Sequence, residues 1–359
     1  MNRRCKEALF MKTRLKATAL LAGAFCCLLL PGGCADKPSE SMAPDPIRIG
    51  VTLYRQSDTF ISLLASNLLD CAKARETQDN VKITLNILDG TGNQGTQNEQ
   101  VDRFLAQGYD AICVNEVDRT AASVIIDKAR AADIPVIFFN REPVGEDMQR
   151  WQNVYYVGSD PREAGGMQGR IVVDLYDENP ASVDRNGDGR IQYVILEGEP
   201  GHQDATLRTE SCIAALTSAG VDIEKLASEP ANWQRAQASA KMAQWLTDAQ
   251  LRDRIEVVFC NNDDMALGAI DAYRAAEIPE LPVIVGIDAT PPALLAIQDG
   301  SLAGTVRNDA QGQAQAIFDL AYALSTGANP QEAVPMLDGQ YVWAPHSIVT
   351  IGNVMQEYG

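Results

Sequence analysis

Two sets of side chains are spaced for chemistry. The first is DRNGDGRIQ, Asp184 to Gln192. Oxygen-bearing side chains stand at its first, third, fifth and ninth positions (Asp184, Asn186, Asp188, Gln192), and Gly189 stands at the sixth. That is the opening of a twelve-residue calcium loop, where hard oxygen ligands surround a hard cation and a glycine makes the sharp turn. The twelfth position, where a bidentate Glu belongs, is Ile195 within the apolar run IQYVIL. On these residues alone a calcium sensor, a chance Asx-rich turn and a metal staple in a protein with another task are all open.

The second set recurs where apolar runs end. RQSDTF follows LY, NREP follows VIFF, GHQDATLR follows VILEGEP, NND follows VVFC, DATPP follows VIVGI, and RND follows GTV. Any one is ordinary, because Asp and Asn are good helix N-caps. Amides, carboxylates, a His and an Arg repeated at six such junctions point instead to a polar pocket. A nucleophile and base do not accompany it: the only histidines are His202 and His346, and no G-x-S-x-G, H-E-x-x-H or P-loop is present. Nothing marks two carboxylates as a facing pair of the glycosidase kind. Binding is favoured over catalysis.

Those junctions need elements to position them. Short β-rich runs (IRIGVTLY, VKITLNIL, DAICVNEV, IPVIFFN, NVYYVGSD, then IQYVILEG, EVVFCNND, PVIVGID, GTVRND) alternate with helical patterns such as FISLLASNLLDCAKA and TAASVIIDKARAAD. Strand, crossover helix, strand is the mark of parallel sheets covered by helices on both faces. Ligands bind such sheets beyond the carboxyl ends of the strands. With 359 residues, 46% of them hydrophobic, the chain suits two α/β lobes, each doubly wound.

At the N terminus, Lys12, Arg14 and Lys16 precede an apolar run, Ala17 to Leu30. At 14 residues that run is short of the roughly 20 needed to span a bilayer, so residues 1–33 are expected to be a secretory signal, with residues 1–10 an upstream mis-start. GGC followed by ADKPSESMAPDP is similar to a bacterial lipoprotein cleavage site, which implies acylation of Cys34, a tether over 34–46, and membrane contact only through that lipid. Pro31 departs from the Leu usual three residues earlier. Removing the signal removes six basic residues and one acidic, leaving 24 basic against 47 acidic, a formal charge of about −23. Such a surface repels phosphate backbones, which excludes nucleic acid as a partner. Cys71, Cys113, Cys212 and Cys260 show no C-x-x-C spacing and are expected to be buried free thiols.

The stretches IGVTLYRQSDTF, PVIFFNREP, LEGEPGHQDATLR, NNDDMALGAI, VGIDATPPALL and AGTVRNDAQGQA, in that order, resemble the galactose/glucose-binding periplasmic proteins of ABC sugar uptake. The similarity runs from about Ile47 nearly to the C terminus. It implies a type I periplasmic binding protein fold: one lobe from 47–157 plus 309–342, another from 160–306 plus 346–359, and three hinge strands near Gly158 to Asp160, Arg307 to Asp309 and Trp343 to Pro345. It further implies that a sugar is sandwiched between Phe60 and Trp233, since apolar C–H faces stack on π faces. Its hydroxyls would meet Asp58 and Asn140 from the first lobe, His202, Asp204, Arg208, Asn262 and Asp288 from the second, and Asn308 near a crossover. Carboxylates accept only, Arg donates only and Asn does both, so such an array checks each hydroxyl.

The same resemblance supplies the missing carboxylate of the calcium loop. The implied Ca2+ ligands are Asp184, Asn186, Asp188, the Arg190 carbonyl, Gln192 and a distant Glu256, binding the ion as a structural staple. Arg190 stands where the family has Gln. The function implied is that of a monomer that closes on a monosaccharide and is read by the membrane subunits of an ABC permease, and in many relatives by a chemoreceptor, without altering any bond in the ligand. A pentose or another small sugar is the alternative ligand. The core of a sugar-responsive repressor would need a helix-turn-helix where this chain has its signal and tether.

Overall fold

The computed structural model describes residues 46–358. The expected signal, Cys34 and the tether up to residue 45 lie outside the described residues. The chain begins with β1 (Ile47–Leu53), α1 (Thr59–Asp79), β2 (Ile83–Asp89), α2 (Gln94–Ala106), β3 (Ala111–Val114), α3 (Ala122–Ala132), β4 (Val136–Phe139), α4 (Gly145–Met148) and β5 (Val154–Gly158). It continues through α5 (Pro161–Glu178), β6 (Ile191–Glu197), α6 (Gln203–Ser218), β7 (Ile223–Pro230), α7 (Arg235–Thr247), α8 (Ala249–Arg252), β8 (Val257–Cys260) and α9 (Asp263–Ala275). The remainder is β9 (Val283–Val285), α10 (Pro291–Gln298), β10 (Gly304–Asn308), α11 (Ala310–Thr326), α12 (Pro330–Ala333), β11 (Leu337–Asp338), β12 (Tyr341–Trp343) and β13 (His346–Thr350).

These strands form a seven-stranded sheet of order β11-β12-β5-β4-β3-β1-β2 and a six-stranded sheet of order β13-β10-β9-β8-β6-β7. Pairing is parallel throughout both centres, where strands such as β3 (AICV), β4 (VIFF) and β8 (VVFC) are buried at every position. A strand covered by helices on both faces is written as an unbroken apolar run. The doubly wound parallel sheets expected are present, with antiparallel pairs only at edges, where β11 pairs β12 and β10 pairs β13. β12 follows β11 after only residues 339–340, too few for the crossover a parallel pair needs, whereas β13 enters its sheet from β12 of the other sheet.

The chain passes between the sheets at three places: after β5, after β10 and after β12. Each lobe has its own core, with Phe60, Leu64, Phe139 and Phe318 in the first and Trp233, Met242, Met265 and Ile270 in the second. Helix α5 packs on α6 through Gly165 and Gly169, where any Cβ would run into the backbone of Arg208 and Cys212. Two glycines thus let the α6 backbone approach closely and fix where Arg208 projects. Cys113, Cys212 and Cys260 are buried free thiols, whereas Cys71 is half-buried on α1, whose outer face reaches solvent. Among the described residues, no helix is long and apolar enough to cross a membrane.

Candidate functional site: a cavity between the lobes

In each sheet the first strand lies between its two successors, β1 between β2 and β3, and β6 between β7 and β8. Chain direction reverses there, so loops diverge and leave a crevice beyond the strand ends. Six strand-to-helix junctions face one another across it. They enclose a tight cavity, with ≈ 40 Å³ open to the centres of water-sized molecules, lined by Tyr54, Asp58, Phe60, Ile61, Asn140 and Arg141 of the first lobe and His202, Asp204, Arg208, Trp233, Asn262 and Asp288 of the second.

Most polar wall residues have a second task that holds them still. Asp58 caps α1, its Oδ1 accepting from the Ile61 amide at 3.0 Å, while its Oδ2 accepts from the Tyr54 hydroxyl at 2.6 Å. Asn262 caps α9 by accepting from the Met265 amide (3.0 Å), and its Nδ2 donates to the Trp233 carbonyl (3.3 Å). His202 caps α6, its Nδ1 accepting from the Asp204 amide at 3.1 Å. The acceptor role leaves the proton on Nε2, so this ring offers a donor to the cavity. Burial first, then the nearby Arg141 and Arg208, hold the His202 pKa well below its usual range and keep it neutral.

Asp204 and Arg208, four apart on α6, are an ion pair at 3.6 Å. Burial raises the Asp204 pKa, opposed by Arg208. The Arg208 Nη1 donates to the Asn261 carbonyl (2.8 Å), but its Nε is buried with no protein partner. An unsatisfied buried donor costs roughly 1–3 kcal/mol, a cost that a ligand acceptor would remove. Asp288 has its pKa pushed well above the usual carboxylate range, first by burial, with Arg208 opposing. Asn308 stands behind it rather than on the cavity wall: its Nδ2 approaches Asp288 Oδ1 at 3.4 Å, and its Oδ1 accepts from Gln313 at 2.6 Å. Asn308 thus helps to orient Asp288 from behind.

The two expected rings belong to different cores, Phe60 5% and Trp233 8% exposed, and both present themselves to the cavity. Trp233 and Asn232 both adopt left-handed backbone, φ 64° and 52°. Non-glycine residues seldom accept that conformation, and strain of this sort gathers at binding sites. Asn140 does the same (φ 64°), with its carbonyl held by the Tyr156 hydroxyl at 2.9 Å.

Three participants were missed by reading the sequence. Tyr54 holds Asp58. Arg141 lines the cavity, lies 3.8 Å over the Tyr54 ring and donates to Glu199 of the other lobe at 2.9 Å. Gly198 leaves room for the Trp233 indole. NREP and LEGEP carried a signal for Arg141 and Glu199, opposite charges at two strand ends, but not their pairing. Two more bonds span the cleft, Thr59 Oγ1 donating to Asp264 (2.7 Å) and Gln203 Nε2 donating to Glu142 (2.9 Å).

The expected metal residues lie apart from this cavity, in the loop before β6. Asp184 accepts from the amides of Gly187 (2.7 Å) and Gly189 (2.9 Å), and both glycines have positive φ, 70° and 82°. Gln192 Nε2 donates to Asp188 Oδ2 (2.8 Å), and Asn186 Nδ2 donates to Gln192 Oε1 (2.7 Å). Glu256 is buried and does reach the loop, accepting from the amides of Arg185 (2.8 Å) and Gln192 (2.9 Å). Arg190 turns its guanidinium away to Asp222 at 3.1 Å, leaving its carbonyl to the loop. Every donor in the set is a hard oxygen, which fits Ca2+. As the side chains stand, their oxygens serve N–H groups, and among the described residues no three carboxylate, His or Cys side chains gather as a metal-holding group.

Two α/β lobes, crossed three times by the chain and enclosing one small cavity walled by aromatic rings, carboxylates, amides and a guanidinium, define a solute-binding protein of the type I periplasmic fold. The family model described as "Periplasmic binding protein domain" matches residues 49–329, and the chain belongs to that family, whose members bind solutes and are not enzymes. It is 41% identical over 294 residues, covering 82% of this chain and 86% of the relative, to the D-galactose/methyl-galactoside binding periplasmic protein of Haemophilus influenzae. A putative rhizopine-binding protein of Rhizobium meliloti is 34% identical over 87% of this chain and 92% of its own length. Among solved structures, an ABC transporter solute binding protein from Bacillus halodurans with bound myo-inositol superposes with TM-score 0.71 at 29% identity, covering 86% of this chain and 96% of that one.

Proposed function

We propose that this protein captures a monosaccharide, D-galactose or D-glucose, between its lobes outside the cytoplasm and delivers it to the membrane subunits of an ABC permease. The observation that carries the reading is that Phe60 and Trp233, from opposite lobes, share one cavity wall with the neutral acceptors, carboxylates and donors a sugar would need. Apolar pyranose faces rest on the rings. His202 Nε2–H and the unpartnered Arg208 Nε donate to hydroxyl oxygens, while Asp58, Asp204 and Asp288 accept from hydroxyl protons. Neither lobe holds the full set. A ligand gripped by both interacts best with the closed form and draws the hinge equilibrium toward it.

The relative binding D-galactose and methyl-galactoside, at 41% identity, supports a hexose. A cyclic polyol is the second reading, favoured by the myo-inositol in the Bacillus halodurans structure. Calorimetric titration with galactose, glucose, ribose, xylose and myo-inositol separates them. Tight binding of galactose or glucose without product formation is expected. Silence toward every hexose at millimolar concentration would overturn the reading. Two further parts belong to the same proposal: Ca2+ held by the loop from Asp184 to Gln192 with Glu256, stapling loop to strand, and acylation of Cys34 as the anchor to the membrane.

A further inference from the structure

Arg141 occupies two sites at once. It is buried on the cavity wall, beside Asp58 and Asn140, and it forms the ion pair to Glu199 that crosses the cleft. Its Nη1 donates to the Val117 carbonyl (2.9 Å), its Nη2 donates to Glu199 Oε2 (2.9 Å), and its plane covers the Tyr54 ring at 3.8 Å. The Tyr54 hydroxyl in turn holds the cavity carboxylate of Asp58. The side chains of the pair are 7% and 26% exposed, so water and salt screen it poorly. A surface pair of flexible side chains contributes little, but this guanidinium is already held by the Val117 carbonyl and the Tyr54 ring before it meets its partner.

We propose that Arg141 is the positioning residue that ties ligand occupancy to lobe closure: it steadies the Tyr54–Asp58 pair against the ligand and latches the opposite lobe through Glu199. The role rests on the ligand reading above. Glu199 is off the wall of the ligand cavity and belongs to the neighbouring opening beyond Arg141, His202 and Asp204, so the latch can be cut without removing a group from that wall. Opening must break the latch whereas encounter with the open form need not make it, so the latch governs escape rather than entry. Losing one partner of a poorly screened charge pair acts chiefly on dissociation.

The test is stopped-flow binding of the sugar that the wild type binds best, with Glu199→Gln, Arg141→Lys and the double variant. Glu199→Gln is expected to raise the dissociation rate about tenfold or more, with the association rate within about twofold of wild type. Arg141→Lys keeps the charge and loses the planar stack and fork, so it also speeds dissociation. In the double variant the two effects should fail to multiply. Dissociation unchanged in Glu199→Gln, or effects that multiply fully, would overturn the latch while leaving the ligand reading standing. No binding of any sugar by the wild type would overturn that reading and this role together.

Discussion

Gly198, one residue past β6, lies beneath the indole of Trp233, so close that a Cβ at position 198 would sit far inside van der Waals contact with the six-membered ring. Trp233 is therefore seated on bare backbone. Gly198→Ala is expected to displace the ring and weaken sugar affinity at least tenfold, as Trp233→Ala would, while Phe60 and its core remain in place. Unchanged titration curves for either variant would remove Trp233 from the binding surface.

Asp58 both caps α1 and faces the cavity. Asn caps a helix about as well as Asp, so Asp58→Asn spares the helix and removes the charge together with the second acceptor oxygen, which the Tyr54 hydroxyl uses. Hydrogen bonds to charged groups are worth roughly 1.5–3 kcal/mol, which predicts about a ten- to hundredfold loss of affinity at near-constant melting temperature. A large fall in melting temperature with affinity intact would assign Asp58 to the fold alone.

Glu116, just past β3, is fully buried and neither carboxylate oxygen has a partner. Burial raises its pKa well above 4.5, Asp118 and Asp147 add to the rise, and Arg119 and Arg141 oppose it. The folded protein then keeps a proton that the unfolded chain releases near 4.5. Its stabilising contribution is whole below that pH and declines as pH rises, by up to about 1.4 kcal/mol per unit, until the folded pKa is passed. Glu116→Gln should flatten this decline in melts collected from pH 5 to 8. Parallel profiles for the two proteins would contradict the assignment.

For the loop before β6, a chelator is expected to lower the melting temperature and added Ca2+ to restore it, since an ion that binds only the folded state stabilises it by mass action. Glu256→Gln should abolish the response and leave sugar binding measurable, because the loop is remote from the cavity. A melting temperature indifferent to chelator would reduce the motif to an Asx-rich turn.

The sequence by itself determined the α/β class and the places where function could sit. Strands covered on both faces must be written as runs such as VIFF and VVFC, and polar residues follow them: Asp58, His202 and Asn262 both begin helices and face the crevice, and Asn140 and Asp288 face it from the loops after their strands. Less legible were β7, whose IEKLASEP is partly exposed along its length, and β11, of two residues, because edge strands lack the apolar signature. Tertiary structure alone decided that Arg141 meets Glu199 across 58 residues, that Gly198 seats Trp233, and that Asn308 backs Asp288. Local pattern records propensity and burial, which each segment carries within itself. Which wall a side chain joins depends on how two separately packed lobes come together, and no single segment contains that information.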